Sequence, residues 1–157
     1  MKQLKKVLDA LAADVIRAAE AELERPRVLG YTKTKPTANK VASGTLKKSL
    51  KATVRVGDTT SQVEFGASVD YAKQVEEGTT AGTLVPIKDL IDWIRAKPVD
   101  VAWASGGELQ AAFLFQKHIQ QRGIPGAFYY RTAVDAVLPK YRKQLADSFG
   151  KDSISIF

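Results

Sequence analysis

The sequence contains no cysteine and a single histidine, His118. Without cysteine the chain has no disulfide, no thiolate metal ligand and no thiol nucleophile. A lone imidazole between Lys117 and Ile119, with no spaced carboxylate partners, does not form a recognisable metal or nucleophile site. Gly106-Gly107 lacks the spacing of a phosphate-binding loop. We therefore expect a protein that is not an enzyme and that has no cofactor and no metal.

Long apolar runs are also missing from the chain. No run approaches the roughly 18 residues that a membrane span needs, and charged residues near the N-terminus interrupt the apolar core that a signal peptide requires. The 157 residues, 45% hydrophobic and 26% charged, have a globular composition. This length suits one domain with a real core. We predict a single domain over residues 1–157, without a membrane partner and made in a cytoplasm.

Charge is unevenly distributed along the chain, whose formal net charge is +7. Residues 25–57 contain no Asp or Glu but nine basic residues: Arg25, Arg27, Lys33, Lys35, Lys40, Lys47, Lys48, Lys51 and Arg55. Residues 58–107 reverse the balance, with eight acidic residues against four basic ones. Three interpretations stay open: a basic segment that meets nucleic acid, complementary charge between neighbouring copies, or a solvated surface.

The N-terminal half predicts a helix, a loop and a hairpin. Residues 4–24 place apolar side chains at steps of three and four, as an amphipathic helix does, and Pro26 ends it. Residues 25–43 are polar and basic and exceed the usual loop length, so we expect a mobile basic loop that either orders in an assembly or has no role. A helical turn capped at Ser43 then leads into alternating strands on either side of residues 57–60, which predicts an antiparallel hairpin with one buried face.

The C-terminal half predicts helices separated by glycine and proline. A short turn covers residues 71–79, and longer helices follow from Pro86, from Glu108 to Gln121 and from about Tyr130 to Phe149. The helix from Glu108 is expected to bury one side, made of Leu109, Ala112, Phe113, Gln116 and Ile119. Pro139 should kink the last helix, and Val101 and Trp103 belong either to an edge strand or to a packed loop. The predicted fold class is α+β, with a small antiparallel β-sheet packed against a long N-terminal helix and several C-terminal helices.

The last residues, 150–157, alternate in polarity after Gly150. This extended C-terminal tail is too short to bury Ile154 and Ile156 by itself, so we expect it to add a strand to the sheet edge of a neighbouring molecule.

Four segments of the chain, taken in order, resemble segments of one protein family of tailed phages. They are Ala42-Ser43-Gly44-Thr45-Leu46-Lys47-Lys48-Ser49-Leu50; Tyr71-Ala72-Lys73-Gln74-Val75-Glu76-Glu77-Gly78-Thr79; Leu90-Ile91-Asp92-Trp93-Ile94; and Ala111-Ala112-Phe113 through Ile119, followed by Arg122-Gly123-Ile124-Pro125-Gly126-Ala127-Phe128 and Ala133. Together they resemble the neck and tail-completion proteins of the HK97 gp10-like group. The chain departs from that group at Glu77, where an aromatic commonly precedes Gly-Thr, and at Tyr129-Tyr130, where a Leu-Arg or similar pair commonly follows the phenylalanine.

The resemblance implies a virion structural protein at the neck, made in the host bacterial cytoplasm. It implies a homo-oligomeric ring, a hexamer or dodecamer, between head-side connector or adaptor proteins and the tail terminator or tail tube, with viral DNA passing through the lumen. Candidate subunit-interface residues are Tyr71, Glu76, Glu77, Ile154, Ile156 and Phe157.

Two other functions remain open at this stage. One is a tail terminator or another tail-tube component. The other, of a different class, is a basic DNA-binding protein that uses Lys33, Lys35, Lys40, Lys47, Lys48 and Lys51; such a protein should bind random duplex tightly and lose affinity steeply with salt.

Overall fold

The structure is a computed structural model that describes residues 2–25, 27–28, 37–38, 44–96 and 100–149. The candidate residues Lys33, Lys35 and Lys40 lie outside these ranges, as does the predicted C-terminal tail with Ile154, Ile156 and Phe157. In the part of the chain that is described, none of the helices is long and apolar enough to cross a membrane.

Six helices and six strands make up the described chain, and most of the strands are very short. In chain order they are α1 (Lys2–Glu24), β1 (Arg27–Val28), β2 (Thr37–Ala38), α2 (Thr45–Ser49), β3 (Leu50–Val56), β4 (Ser61–Ala67), α3 (Ala72–Glu77), β5 (Gly78–Thr79), α4 (Ile87–Ala96), α5 (Gly107–Arg122), β6 (Ile124–Pro125) and α6 (Tyr129–Phe149). The fold class is α+β, as predicted, because the β3–β4 sheet packs against the long N-terminal helix and the C-terminal helices.

The first hydrophobic core lies between α1, α6 and the β3–β4 sheet. Helix α1 contributes the apolar residues that its three- and four-residue spacing predicts, from Leu4 to Leu23. Helix α6 meets them with Ala133, Val137 and Leu145. The two helices are joined at their surface by Tyr141, whose hydroxyl donates to the Asp14 carboxylate at 2.5 Å. That hydrogen bond is the main cause that raises the pKa of Tyr141.

The hairpin is antiparallel and has the predicted alternation of buried and exposed side chains. Strands β3 and β4 pair antiparallel from Leu50 opposite Ala67 to Val56 opposite Ser61. Along β3, side chains alternate between half-buried and exposed positions, so Val54 packs on the core and Arg55 points to solvent, where it bonds Glu64 on the opposite strand at 3.0 Å. Period-two patterning therefore determined the buried face correctly.

Two predictions for residues 25–44 need correction. The interval expected to be loop throughout contains a short antiparallel ladder, in which β1 pairs with β2, Arg27 opposite Ala38. The N-cap of α2 is Gly44, at φ 82°, and no side chain caps the helix there; the cap predicted at Ser43 lies one residue earlier and outside the described residues. Propensity favoured serine, but the left-handed entry into α2 suits glycine.

A second hydrophobic cluster lies between α4 and α5. Its buried members are Leu90, Ile94, Ala104, Ala111, Ala112 and Ile119. The predicted apolar side of α5 is therefore partly wrong: Ala112 and Ile119 are buried, but Leu109 and Phe113 are each 53% exposed. The buried side instead uses Ala111 and the half-buried Phe115. Spacing alone could not choose between these faces because α5 has large apolar residues around most of its circumference.

The segment before α5 is a packed loop, which resolves the alternative left open for Val101 and Trp103. Within it, Ala104 is buried and Val101 packs against the second cluster, whereas Trp103 is 56% exposed. The indole N–H of Trp103 donates to the Asp100 carbonyl at 2.9 Å, and its ring meets the ring of Phe115 edge-on. In the last helix, Pro139 lies within α6, as the sequence indicated; the kink expected there stays a prediction.

Candidate functional site

Two segments that lie far apart in sequence pair with each other in the fold. The short strands β5 and β6 pair antiparallel, with Gly78 opposite Pro125 and Thr79 opposite Ile124. The contact continues past the strands, where the Ala127 N–H donates to the Val75 carbonyl at 2.8 Å. We call residues 75–79 and 123–131 the Glu76 junction, because that side chain joins its two halves.

Glycine allows the two halves of the junction to approach this closely. A Cβ added at Gly123 would lie 2.1 Å from the Thr79 carbonyl oxygen, and one added at Gly78 would lie 2.3 Å from that of Ile124. Both glycines also have positive φ, 73° and 80°, which side chains disfavour. The glycines of the two resembling segments thus have a shared physical reason, which is backbone packed directly on backbone.

The Glu76 carboxylate caps the N-terminus of α6. Its Oε2 accepts from the Tyr130 N–H at 2.9 Å and its Oε1 accepts from the Arg131 N–H at 3.0 Å. These are the second and third residues of the helix, whose N–H groups have no partner inside it. Phe128, at the capping position, has no side-chain oxygen to offer, so a carboxylate from 54 residues upstream takes that role. Its negative charge also complements the helix dipole.

Phe128 adopts a backbone conformation that is uncommon for an aromatic residue. It is the only non-glycine residue with positive φ in the described chain, at 49°. The Phe128 N–H donates to the Glu76 carbonyl at 2.9 Å, so the junction itself holds this conformation. Outside, the Arg131 guanidinium lies 4.8 Å from the centre of the Phe128 ring, which is within cation–π range.

Two tyrosines anchor the start of α6 to the rest of the core. Tyr129 is 1% exposed, and the Tyr130 hydroxyl donates to the Gly66 carbonyl of β4 at 2.6 Å. Burial raises the pKa of Tyr129 above its usual range, with the Glu76 charge as a second cause, and burial likewise raises the pKa of Tyr130 to about 12. Both aromatic rings therefore pack against the first hydrophobic core.

The basic candidates in the described part of the chain do not form one surface of free charge. Lys47 forms an ion pair with Glu24 at the end of α1. Within this pair the Lys47 Nζ donates a hydrogen bond to the Glu24 Oε1, and this bond is the main cause that raises the pKa of Lys47. Lys48 and Lys51 are exposed. A DNA-facing role for these lysines stays a prediction.

The three described interface candidates have different surroundings. Tyr71 is 46% exposed and Glu77 is exposed, with Lys73 at 3.9 Å as an ion-pair partner. Glu76 is partly buried and bonded within its own chain, so its first role is to hold the junction. The sequence missed that role because nothing local connects Glu76 to α6.

The contacts that build the site are backbone pairing, a carboxylate cap and aromatic packing. Among residues 2–25, 44–96 and 100–149, no three His, Asp or Glu side chains are grouped closely enough to hold a metal ion. What the surface does offer is exposed apolar side chains, including Leu109, Phe113 and Leu114 on α5. Two of these, Leu109 and Phe113, were predicted from the sequence to lie in the core, because the spacing of apolar residues around α5 does not distinguish its buried face from its exposed one.

Comparisons with protein-family models, with curated proteins and with solved structures give no match to this chain.

Proposed function

We propose that this chain is a structural protein of a tailed-phage virion, located at the neck. Identical copies form a homo-oligomeric ring between the head-side connector and the tail, and viral DNA passes through the lumen. The role is mechanical and requires no catalysis. Host-cell cytoplasm is the place of synthesis and the virion is the place of action.

The observation that carries this proposal is the Glu76 junction. Thr79 of the second resembling segment and Ile124 of the fourth are 45 residues apart, yet the two segments pair through β5–β6 and through the carboxylate cap on α6. Each motif alone is a weak match. Their residues share one structural task here, because the glycines permit the contact and the glutamate fastens it, and this supports treating the segments as one related set.

The surface is consistent with a chain that assembles. Seven large hydrophobic side chains of the described residues are at least 37% exposed, and exposed apolar patches commonly mark interaction sites. A ring needs a heterologous interface, in which one patch meets a different one on the next copy. A tail terminator or tail-tube component would use the same features and remains the second candidate within the virion.

The test is electron microscopy of particles made when the gene for this chain carries a stop codon. We expect heads lying apart from finished tails, because the joining ring is missing. A second culture, in which the wild-type gene is supplied from a plasmid, should restore joined particles and infectivity. Tails of irregular length would favour the tail-terminator role instead, and normal infectious virions would overturn the proposal.

The DNA-binding alternative is tested separately by affinity for random duplex over a range of salt concentrations. A dedicated DNA-binding protein loses affinity steeply with salt because its lysines release counterions from the phosphates. Negligible binding at low salt would exclude that alternative. Tight, salt-dependent binding together with normal virions would make it the better account.

A further inference from the structure

Helix α5 exposes large apolar side chains on the side that faces solvent, which is unusual for a surface without a partner. Its buried positions include Ala111 and Ala112, both 0% exposed, whereas Leu109 and Phe113 are 53% exposed and Leu114 is 45% exposed. Three large apolar groups thus face solvent, although Phe115 and Ile119 pack with the two alanines on the core side. Since burying large side chains is what stabilises a helix on its domain, the outer side of α5 is suited to a second contact.

The three exposed side chains lie on the solvent side of α5. Leu109 and Phe113 are four residues apart and therefore adjacent along the helix. Leu114 is about 100° further round the helix than Phe113, with the exposed Gln110 and Lys117 between them. We call Leu109, Phe113 and Leu114 the α5 face. By contrast, the exposed residues of the other two long helices, α1 and α6, include no large hydrophobic side chain.

The rim of the α5 face has amide and basic chemistry. The other exposed residues of the helix are Gln110, Lys117, Gln120, Gln121 and Arg122. The exposed charged residues of α5 are Lys117 and Arg122, and the one carboxylate of the helix, Glu108, is 39% exposed at its side chain and pairs with Arg95 of α4. A partner for this face should therefore offer an apolar or aromatic centre bordered by acidic groups.

The chain itself presents such a surface at the start of α3. Tyr71, at the N-cap of α3, is 46% exposed. Asp70 precedes it and is exposed, and Glu77, at the other end of the same short helix, is exposed as well. We call Asp70, Tyr71 and Glu77 the Tyr71 surface. It combines one aromatic side chain with two carboxylates, and the exposed Lys73, 3.9 Å from Glu77, leaves one net negative charge. An aromatic centre with a negative border complements the apolar and basic α5 face.

We propose that the α5 face of one copy packs on the Tyr71 surface of the next copy. The contact is heterologous, because two different patches meet, and repetition of such a contact can close a ring. The three side chains of the α5 face expose on the order of 250 Å². A standard interface takes about 800 Å² from each partner with an apolar centre and a polar rim, so this face has the size of such a centre. The inference rests on the proposed function and names the subunit contact within the ring.

Cross-linking tests the contact cleanly because the chain has no cysteine of its own. One sample carries Phe113→Cys, a second carries Tyr71→Cys, and the two are mixed in equal amounts with a short bismaleimide. We expect a covalent dimer of twice the 17.1 kDa chain mass in the mixture and none in either sample alone. Phe113→Cys mixed with Asp135→Cys, an exposed position on α6, is the matched control and should stay uncoupled.

Two cross-linking results would overturn the inference. Coupling of Phe113→Cys with itself would mean that α5 meets α5 in an isologous contact. A mixture without the dimer, from protein that sediments as a ring, would put the contact elsewhere and leave the proposed function standing. Protein that remains a monomer at the highest soluble concentration overturns the inference too, and the stop-codon experiment then decides the proposed function by itself.

A charge exchange provides an independent measurement. Lys117→Glu and Glu77→Lys each place like charges across the contact, so each should weaken self-association at least about tenfold. The chain that carries both substitutions restores opposite charges and should recover most of the association. Lys117→Glu combined with Asp135→Lys has the same net charge but no restored pair, and recovery in that chain would refute the pairing.

Discussion

The capping role of Glu76 predicts that removing this one half-exposed carboxylate strongly lowers the stability of the fold. In Glu76→Ala, the N–H groups of Tyr130 and Arg131 lose their acceptor, and α6 loses the negative charge at its positive end. Loss of a helix cap costs about 0.5–2 kcal/mol, and hydrogen bonds to charged groups contribute about 1.5–3 kcal/mol each when partly shielded. Because water can replace part of this at a half-exposed site, we expect a loss of about 2–3 kcal/mol in the free energy of unfolding.

Glu77→Ala is the matched control for this prediction. It removes the neighbouring carboxylate, whose ion pair with Lys73 is long, at 3.9 Å, and exposed. Pairs of that kind contribute about 0–0.5 kcal/mol. Glu76→Gln keeps one oxygen acceptor but presents an amide N–H₂ to the second backbone donor, so it should fall between the two, at about 1–2 kcal/mol.

Urea denaturation followed by circular dichroism measures all three variants. For a domain of this size, the loss in Glu76→Ala corresponds to a fall of about 5–10 °C in Tm. The slope of the transition should not change, since the variant alters stability and not the surface exposed on unfolding. Equal effects of Glu76→Ala and Glu77→Ala would refute the capping role and, with it, the physical reason we give for the motif.

Three further predictions concern other parts of the fold. Gly123→Ala should lower the free energy of unfolding by at least about 3 kcal/mol, because its Cβ would lie 2.1 Å from the Thr79 oxygen. Gly44→Ala, with similar φ and open space around it, should lower it by only about 1–2 kcal/mol. Equal losses of the two variants in urea denaturation would contradict the close approach at Gly123. Leu23→Ala, at a position 1% exposed, should cost about 2–5 kcal/mol, and a loss below about 1 kcal/mol in the same assay would mean that α1 is not packed as described. The pKa of Tyr130 is about 12 in the folded chain and about 10 when the chain is unfolded. Its contribution to stability is therefore full below pH 10 and is lost as the pH rises towards 12, by at most about 1.4 kcal/mol per pH unit. Tyr130→Phe should flatten the alkaline fall in stability, measured as Tm between pH 9 and 12 and compared with the unchanged chain; an identical fall would refute the assignment.

The sequence by itself determined the elements whose pattern is local. Alternation from Leu50 to Val56 predicted the hairpin and its buried face, because successive side chains of a strand point to opposite sides. Spacing of three and four residues predicted α1, and α6 followed from the same periodicity. These patterns repeat within one element, so no knowledge of its neighbours is needed.

Only the tertiary structure decided what the elements do to one another. In the sequence, Glu76 is simply one of two adjacent glutamates. Its contact with α6 cannot be read from local spacing, because Tyr130 lies 54 residues further along the chain. The outer side of α5 likewise depends on where α4 packs, because Leu109 and Phe113 fit an apolar stripe as well as Ala111 and Phe115 do. Periodicity states that a helix has an apolar face, whereas contact with a neighbour selects which face is buried and which one is left for a partner.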